Sequence, residues 1–201
     1  MSGDRTSAHG SATIADLLAI PEPERFHELV DGELVPKEAA SGKHGEAQLS
    51  LGILLRPFRR GGAGGPGGWI FASEVEIRFD DRNVLRPDVA GWRRERMVEL
   101  PSETPLSVIP DWVCEILSTN RANDLVRKKR IYHRNGVEHY WVIDPEAEML
   151  TVYRHTDGGY LEVLVAERGE TVHPPPFDAR ELVVGVLFGD DELGSPATAP
   201  A

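Results

Sequence analysis

Trp112-Val-Cys-Glu-Ile-Leu117 carries five apolar side chains and a single carboxylate, that of Glu115. A short apolar run of this kind predicts a buried strand. Residues 119–135 have the pattern of a helix, which Asn135-Gly136 would end, because glycine favours the position after a helix. Residues 137–143 are apolar again and predict a second strand. We therefore expect a strand, a helix and a strand in succession, with an acidic residue inside the first strand.

The flanking segments complete a mixture of helices and strands. Asp31-Gly32, between two apolar runs, predicts a hairpin near the N-terminus. The segment 61–68 is so rich in glycine that it predicts a loop. We predict further helices over 13–19, 22–28 and 42–60, and further strands over 69–79, 84–92, 149–154, 160–166 and 182–188.

Composition indicates one folded domain. The chain has 201 residues, 40% of them hydrophobic, and no apolar run approaches the roughly 18 residues that a membrane span needs. We expect a single domain over 12–189, a loose N-terminus over 1–11 and an acidic tail over 190–201. The lone cysteine, Cys114, excludes an internal disulfide, and no secretory signal is expected, so we predict a cytoplasmic protein.

The charge distribution bears on nucleic-acid binding. The formal net charge of -11 disfavours indiscriminate affinity for DNA, which comes from lysine and arginine. Basic residues nevertheless cluster locally, at Arg56, Arg59 and Arg60, at 93–96 and over 121–134, while acidic residues dominate 144–148 and 190–192. A local basic face therefore remains possible on an acidic protein.

Three charged residues carry the predicted chemistry. Asp88 lies early in a predicted strand, Glu115 lies inside an apolar one, and Lys128 shares a helix face with Asp124 and Tyr132. Two carboxylates can bind Mg²⁺, with Mn²⁺ as a substitute, while an ammonium positions water or stabilises developing charge. The residue types also allow a structural role, because buried carboxylates are often paired and Lys128 can pair with Asp124.

Several motifs together resemble the Uma-type family of restriction-endonuclease-like proteins, in the PD-(D/E)XK nuclease superfamily. They are Arg-Pro-Asp-Val at Asp88, Glu-Ile-Leu-Ser at Glu115, the Asp124/Lys128/Tyr132 spacing, Glu28-Leu-Val-Asp-Gly-Glu-Leu-Val35, His44, and Gly136-Val-Glu-His-Tyr-Trp-Val-Ile-Asp-Pro145. The likeness extends over residues 20–190.

This resemblance implies an α/β fold of the restriction-endonuclease type. A mixed central sheet would be flanked by helices, with an N-terminal hairpin and extra C-terminal strands. Asp88 and Glu115 would be metal ligands and catalytic residues, and Glu28 and Glu74 would complete the acidic metal site.

The resemblance also assigns the catalytic lysine. Leu117 occupies the position at which the superfamily usually has this lysine, so the following helix would supply it as Lys128. Lys129 is the alternative, although it points about 100° away around the helix. Ser118-Thr-Asn120 departs from the Ser-Pro-Ser/Thr of the family and affects the expected loop geometry.

These observations predict a Mg²⁺-dependent endonuclease that hydrolyses DNA phosphodiester bonds, without a readable sequence preference. We expect a homodimer, because two cuts in a duplex favour two-fold symmetry. The alternative is an inactive module that binds nucleic acid or protein on the same scaffold. A serine or cysteine hydrolase has little support, since there is no Gly-x-Ser-x-Gly motif. We expect packing roles for Tyr140 and Trp141. For His44 a structural role is favoured over contact with a phosphate or a place near the site.

Overall fold

The computed structural model of the protein describes residues 10–59, 66–118, 121 and 123–191. Short 3₁₀ turns lie at Glu22–Glu24 and Val184–Phe188, and a π-helical turn at Asn123–Lys128 leads directly into the third α-helix. The helices and strands are α1 (Ile14–Leu18), β1 (His27–Val30), β2 (Glu33–Pro36), α2 (Gly42–Arg59), β3 (Trp69–Ser73), β4 (Ile77–Asp80), β5 (Asn83–Leu85), β6 (Val89–Arg93), β7 (Trp112–Ile116), α3 (Lys129–Arg134), β8 (His139–Asp144), β9 (Met149–Thr156), β10 (Gly159–Glu167), β11 (Thr171–Val172) and β12 (Leu182–Val183).

Some predicted segments lie largely outside the described residues. They are most of the N-terminal segment 1–11, most of the glycine-rich loop 61–68, part of the 118–120 connection, and nearly all of the tail 190–201. Among the residues that are described, no helix is long and apolar enough to cross a bilayer.

A six-stranded mixed sheet forms the centre of the structure, in the order β10-β9-β8-β7-β6-β3. β7 and β8 run parallel, with Trp112 opposite His139, and the other neighbouring strands in this sheet run antiparallel. Two parallel neighbours need a crossover connection, and the segment ending in α3 provides it. The predicted strand, helix and strand are therefore confirmed.

A second, four-stranded sheet has the order β2-β1-β5-β4. Its first hairpin turns at Asp31 and Gly32, whose φ angles are 51° and 77°. Positive φ at both central residues is typical of the tight hairpin turn that Asp-Gly favours. The side chain of Asn83 supports the turn by accepting a hydrogen bond from the Asp31 N–H at 2.8 Å. The predicted N-terminal hairpin is confirmed.

Apolar side chains fill both faces of the six-stranded sheet. On one face, α2 and the 184–188 turn pack against residues such as Trp112, Cys114 and Trp141. On the other face, α3 and the four-stranded sheet pack against alternate residues of the same strands, among them Val113 and Tyr140. Because neighbouring residues of a strand point to opposite faces, Glu115 lies on the second face, with Val113.

Two strand predictions were wrong in a way that matters for the site. Residues 69–79 and 84–92 were each predicted to form one strand, yet each forms two strands that belong to different sheets. The first break occurs at Glu74, whose φ is 56°, and the second spans Arg86-Pro87-Asp88. Proline has no N–H to donate to a sheet, which explains the second break.

A third correction concerns residues 22–28. Only Glu22–Glu24 is helical, as a 3₁₀ turn, and β1 already begins at His27. α1 and α2 agree with prediction, and α1 begins with a capping box in which Thr13 and Asp16 satisfy each other's backbone N–H groups. The pattern of polar residues over 22–28 is compatible both with a helical turn and with the first residues of a strand.

Candidate active site

Asp88 and Glu115 meet on one face of the central sheet. Val89 of β6 pairs with Cys114 of β7, so continuing this antiparallel register by one residue sets Asp88 opposite Glu115. Asp88 Oδ2 accepts a hydrogen bond of 2.6 Å from the backbone N–H of Ile116. The two acidic residues are 2% and 1% exposed. The break before β6 thus directs Asp88 into a cleft beside the buried strand.

Lys37 and His44 approach Asp88 from the opposite side. Lys37 follows β2, and its Nζ lies 3.0 Å from Asp88 Oδ1 and 2.8 Å from Glu74 Oε2. His44, in the first turn of α2, places Nε2 3.3 Å from Asp88 Oδ1. Gln48, one turn further along, donates a hydrogen bond of 2.8 Å to the Asp88 carbonyl. The ammonium of Lys37, the first cation of the site, is therefore shared by the carboxylates of Asp88 and Glu74.

Lys128 is the second cation of the site, and its side chain is 3% exposed. Its Nζ lies 3.0 Å from Glu28 Oε2, 3.3 Å from Glu115 Oε1 and 3.3 Å from Asp124 Oδ1. The hydroxyl of Tyr132 donates a short hydrogen bond to Glu115 Oε1. Three carboxylates thus surround one ammonium, and the phenol of Tyr132 holds one of them.

A π-helical turn carries Asp124 and Lys128 of this group. The sequence pattern predicted a plain helix, whereas Asn123–Lys128 is wider than an α-helix and becomes regular only at Lys129. The Tyr140 hydroxyl secures the turn by donating a hydrogen bond of 3.0 Å to the Asp124 carbonyl. Such turns are rare and occur frequently at functional sites.

Burial and charge act in opposite directions on the two central acids. Burial raises the pKa of Glu115 well above its ordinary value, although the charge of Lys128 opposes the rise. Burial would also raise the pKa of Asp88, but the hydrogen bond from His44 and the charge of Lys37 outweigh it and hold that pKa below its usual range. Asp88 is therefore an ionised carboxylate, while Glu115 favours a proton.

The surrounding groups show the same competition. Burial raises the pKa values of Glu74 and Asp124 despite their lysine partners. Burial would lower the pKa of Lys128, but the charges of Glu115, Glu28 and Asp124 raise it well above its ordinary value. Lys128 is thus an ammonium throughout the neutral range. The positive charge near the surrounding carboxylates is too small to neutralise all of them.

A charge count makes this shortage explicit. The cluster contains five carboxylates and two lysines, so full ionisation would leave a net charge of -3 before His44 is considered (five minus two). The carboxylates are those of Glu28, Glu74, Asp88, Glu115 and Asp124. A bound divalent cation would supply the missing charge, since buried acids are stable when they are paired or coordinate a metal.

The available donor atoms fit such an ion. Asn123 Oδ1 and His44 Nδ1 are buried without a hydrogen-bond partner among the described residues. One ligand atom each from His44, Glu74 and Asp88 lies within 4.8 Å of the others. This compact set contains Asp88 but not Glu115, which the sequence paired with it as a ligand. Oxygen-rich donor sets of this kind suit Mg²⁺ and Mn²⁺.

The structure brings most of the predicted site residues together. Asp88, Glu115, Lys128 and Glu28 line one cleft, together with His44, Asn123 and Asp124. Glu74 lies at its edge and is joined to it through Lys37. Lys129, the alternative lysine, is outside the cleft, with Nζ 3.3 Å from the ring centroid of Tyr153.

Two residues of the cleft were misjudged or missed. His44 was expected to be structural, yet it contacts Asp88 directly. Lys37 was not singled out, because a lysine after a hairpin strand is ordinarily a solvated charge. Its one distinguishing signal is its position directly after the second strand of the Asp-Gly hairpin.

The remaining sequence assignments concern the core. Tyr140, Trp141 and Cys114 are buried among apolar side chains, which confirms their predicted packing roles. Burial raises the pKa of the Cys114 thiol well above its ordinary value, so this residue is no activated nucleophile.

Comparisons with known proteins agree with this geometry. Residues 14–185 match the Uma2 family, described as putative restriction endonuclease. A crystal structure of a putative nuclease belonging to DUF820 from Anabaena variabilis superposes with a TM-score of 0.67 and 24% sequence identity. The alignment covers 88% of this chain and 97% of that chain, and it shows the restriction-endonuclease-like fold. No curated protein sequence matches the chain. Because the family match spans most of its length, the chain belongs to the Uma2 family of putative restriction endonucleases.

Proposed function

We propose that this protein is a Mg²⁺-dependent endonuclease that hydrolyses DNA phosphodiester bonds, with Mn²⁺ as a substitute metal. The observation that carries the proposal is the shortage of positive charge around Asp88 and Glu115. Five carboxylates share two lysines in a cleft of a fold that belongs to a nuclease family. The identities of the metal and of the substrate are what the experiments below test.

Asp88 and Glu115 would hold the ion, with Glu74 and His44 beside it. When bound, such an ion polarises a phosphate oxygen and lowers the pKa of water. In the hydrolysis, a water oxygen bonds to phosphorus, one phosphorus–oxygen ester bond breaks, and the departing oxygen gains a proton.

The two lysines have different roles in this proposal. Lys128 remains protonated, so it does not act as a base; it holds Glu115 and Glu28 in place and stabilises negative charge. Lys37, whose side chain is 17% exposed, lines the cleft beside Asp88, where its ammonium would meet a phosphate oxygen of the substrate in exchange for one of its present partners. Preorganised charges of this kind stabilise developing negative charge.

One observation favours a second candidate, a non-catalytic nucleic-acid-binding module. Lys37 Nζ already lies between Glu74 and Asp88, near the position that a metal ion would take. Calorimetric titration with Mg²⁺ separates the two candidates. A nuclease should bind the ion with an affinity that falls in Glu115→Gln, whereas the inactive module should bind it weakly and with no difference between the two proteins.

Plasmid cleavage tests the catalytic proposal. Purified protein is incubated with supercoiled DNA and Mg²⁺ or Mn²⁺, beside Asp88→Asn and Glu115→Gln. We expect metal-dependent nicking that both variants lose. Glu138→Gln is the matched control, because Glu138 is an exposed acid directly before β8 and outside the cleft. Equal cleavage by all four proteins would trace the activity to a contaminant and contradict the proposal.

The predicted homodimer, the lack of sequence preference and the cytoplasmic location remain predictions. The first is checked by sedimentation, and the second by comparing cleavage of unrelated DNA sequences. Neither result changes the assignment of the cleft.

A further inference from the structure

A groove runs along one side of α2, beside the edge strand β3. Gln48, Leu49, Ile53, Arg56 and Arg59 line it from the helix, and residues 71–73 line it from the strand. β3 is the last strand of the six-stranded sheet, so no other described strand of that sheet borders the groove beyond it.

The groove begins at the acidic cleft. Gln48, one of its lining residues, donates a hydrogen bond of 2.8 Å to the Asp88 carbonyl. Val89, the residue after Asp88, also lines it. The two surfaces therefore adjoin at Gln48 and Val89, where a linear molecule with one phosphate in the cleft would reach α2.

Positive charge lies at the far end of this path. Arg56 and Arg59 are exposed and form no ion pair or hydrogen bond with any described residue. A helix C-terminus favours basic residues electrostatically, which accounts for their helical position. It does not account for two unpaired guanidinium groups that line the same groove, on a protein whose net charge is -11.

The spacing suits a nucleic-acid strand. At 1.5 Å per helical residue, Arg56 and Arg59 lie about 12 and 16 Å along α2 from Gln48. That span corresponds to about three to five nucleotides of a B-form strand at 3.4 Å each. Leu49 and Ile53, which lie between Gln48 and Arg56 in α2, are 65% and 54% exposed and offer apolar contact to sugars and bases.

We propose that this groove binds the DNA strand on one side of the scissile phosphate, with Arg56 and Arg59 on the backbone phosphates. The inference rests on the proposed nuclease function and adds a substrate-positioning surface to it. Charge complementarity favours this occupant over a second copy of the chain: a DNA strand presents phosphates to both arginines, whereas a two-fold contact would set Arg56 and Arg59 against their own copies between two proteins of net charge -11.

Fluorescence anisotropy with a labelled DNA duplex, without divalent metal, tests the surface. We compare the wild type with Arg56→Gln/Arg59→Gln and with Arg130→Gln/Arg154→Gln. The control pair removes the same charge from exposed positions on α3 and β9, away from the groove. We expect the groove variant to bind on the order of tenfold more weakly and to reduce the salt slope by about 1.8, for two lost phosphate contacts. The control variant should match the wild type.

A second measurement separates the groove from the cleft. Bis-p-nitrophenyl phosphate is a phosphodiester without neighbouring phosphates, so the groove variant should hydrolyse it at the wild-type rate while cleaving DNA more slowly. A wild type that cleaves neither substrate would contradict the proposed function. A groove variant that binds and cleaves DNA like an active wild type would overturn the groove inference alone.

Sedimentation tests whether a second copy of the chain, and not DNA, occupies the groove. If Leu49→Ser/Ile53→Ser changes the oligomeric state and leaves DNA affinity unchanged, the groove is an interface between copies of the chain and the inference is overturned. A DNA affinity that falls with an unchanged oligomeric state supports it.

Discussion

Replacing Lys128 by methionine removes the ammonium that three buried carboxylates share. Its Nζ lies 3.0 Å from Glu28 and 3.3 Å from both Glu115 and Asp124. At an effective dielectric constant of about 20, each contact has a gross attraction of about 5 kcal/mol. Desolvation of the ion offsets much of this sum. We therefore expect the variant to lose about 3 to 5 kcal/mol of unfolding free energy near neutral pH, the range for breaking a buried pair.

The loss should depend on pH. Without Lys128, Glu115 loses the largest charge that opposes the effect of its burial, so its pKa in the folded state should rise further above the ordinary value of 4.5. A carboxylate with a raised folded pKa contributes stability below its unfolded pKa and loses it as the pH rises through the folded pKa. The variant should therefore be closest to the wild type near pH 4.5 and furthest from it at alkaline pH, up to the range in which Lys128 itself deprotonates.

Urea unfolding, followed by the fluorescence of the buried tryptophans, measures both effects at about pH 5 and pH 8. Lys129→Met is the matched control, because its cation lies over Tyr153 outside the cleft. Lys128→Met/Glu115→Gln should recover part of the loss, since it removes one of the uncompensated charges. A Lys128→Met protein within about 1 kcal/mol of the wild type at pH 8, or equally destabilised at both pH values, would refute the reasoning.

Three further outcomes test the fold. Gly91→Ala should cost about 1 to 3 kcal/mol in urea unfolding, because the added Cβ would lie 2.9 Å from Phe71 and 3.1 Å from Trp112; an unchanged midpoint would show that these rings can move. Thr13→Ala should cost about 1 kcal/mol, since it removes the cap of α1, and a loss similar to that of exposed Ser11→Ala would argue against the cap. Cys114 should resist a thiol reagent until urea unfolds the protein, because it is fully buried with a raised pKa; rapid reaction of the native protein would contradict this.

The fold was largely readable from local patterns. The Asp31-Gly32 turn and the apolar residues of β7 and β8 carry strong local signals, because turn chemistry and side-chain alternation act over a few residues. The chain breaks at Glu74 and Pro87 were not recognised. The apolar pattern of 69–79 continues past Glu74, and nothing local states that the strands on either side of each break join different sheets.

The site was readable in its residue types but not in its connections. Asp88, Glu115 and Lys128 stood out because charges within or beside apolar runs need partners. Their partners Lys37, Glu28 and His44 come from the hairpin and from the start of α2, at least 40 residues before Asp88 or Glu115. No spacing rule reports contacts over such separations.

Local sequence was therefore sufficient for the hairpin, for α1 and α2, for the buried strand around Glu115 and for the family likeness, since each depends on neighbouring residues. The folded arrangement alone assigned Lys37 to Asp88 and Lys128 to three carboxylates, and it brought His44 into the cleft. The physical reason is that strand pairing between distant segments determines which charges share a buried space. That shared space, and not any single residue, sets the pKa values on which the proposed chemistry depends.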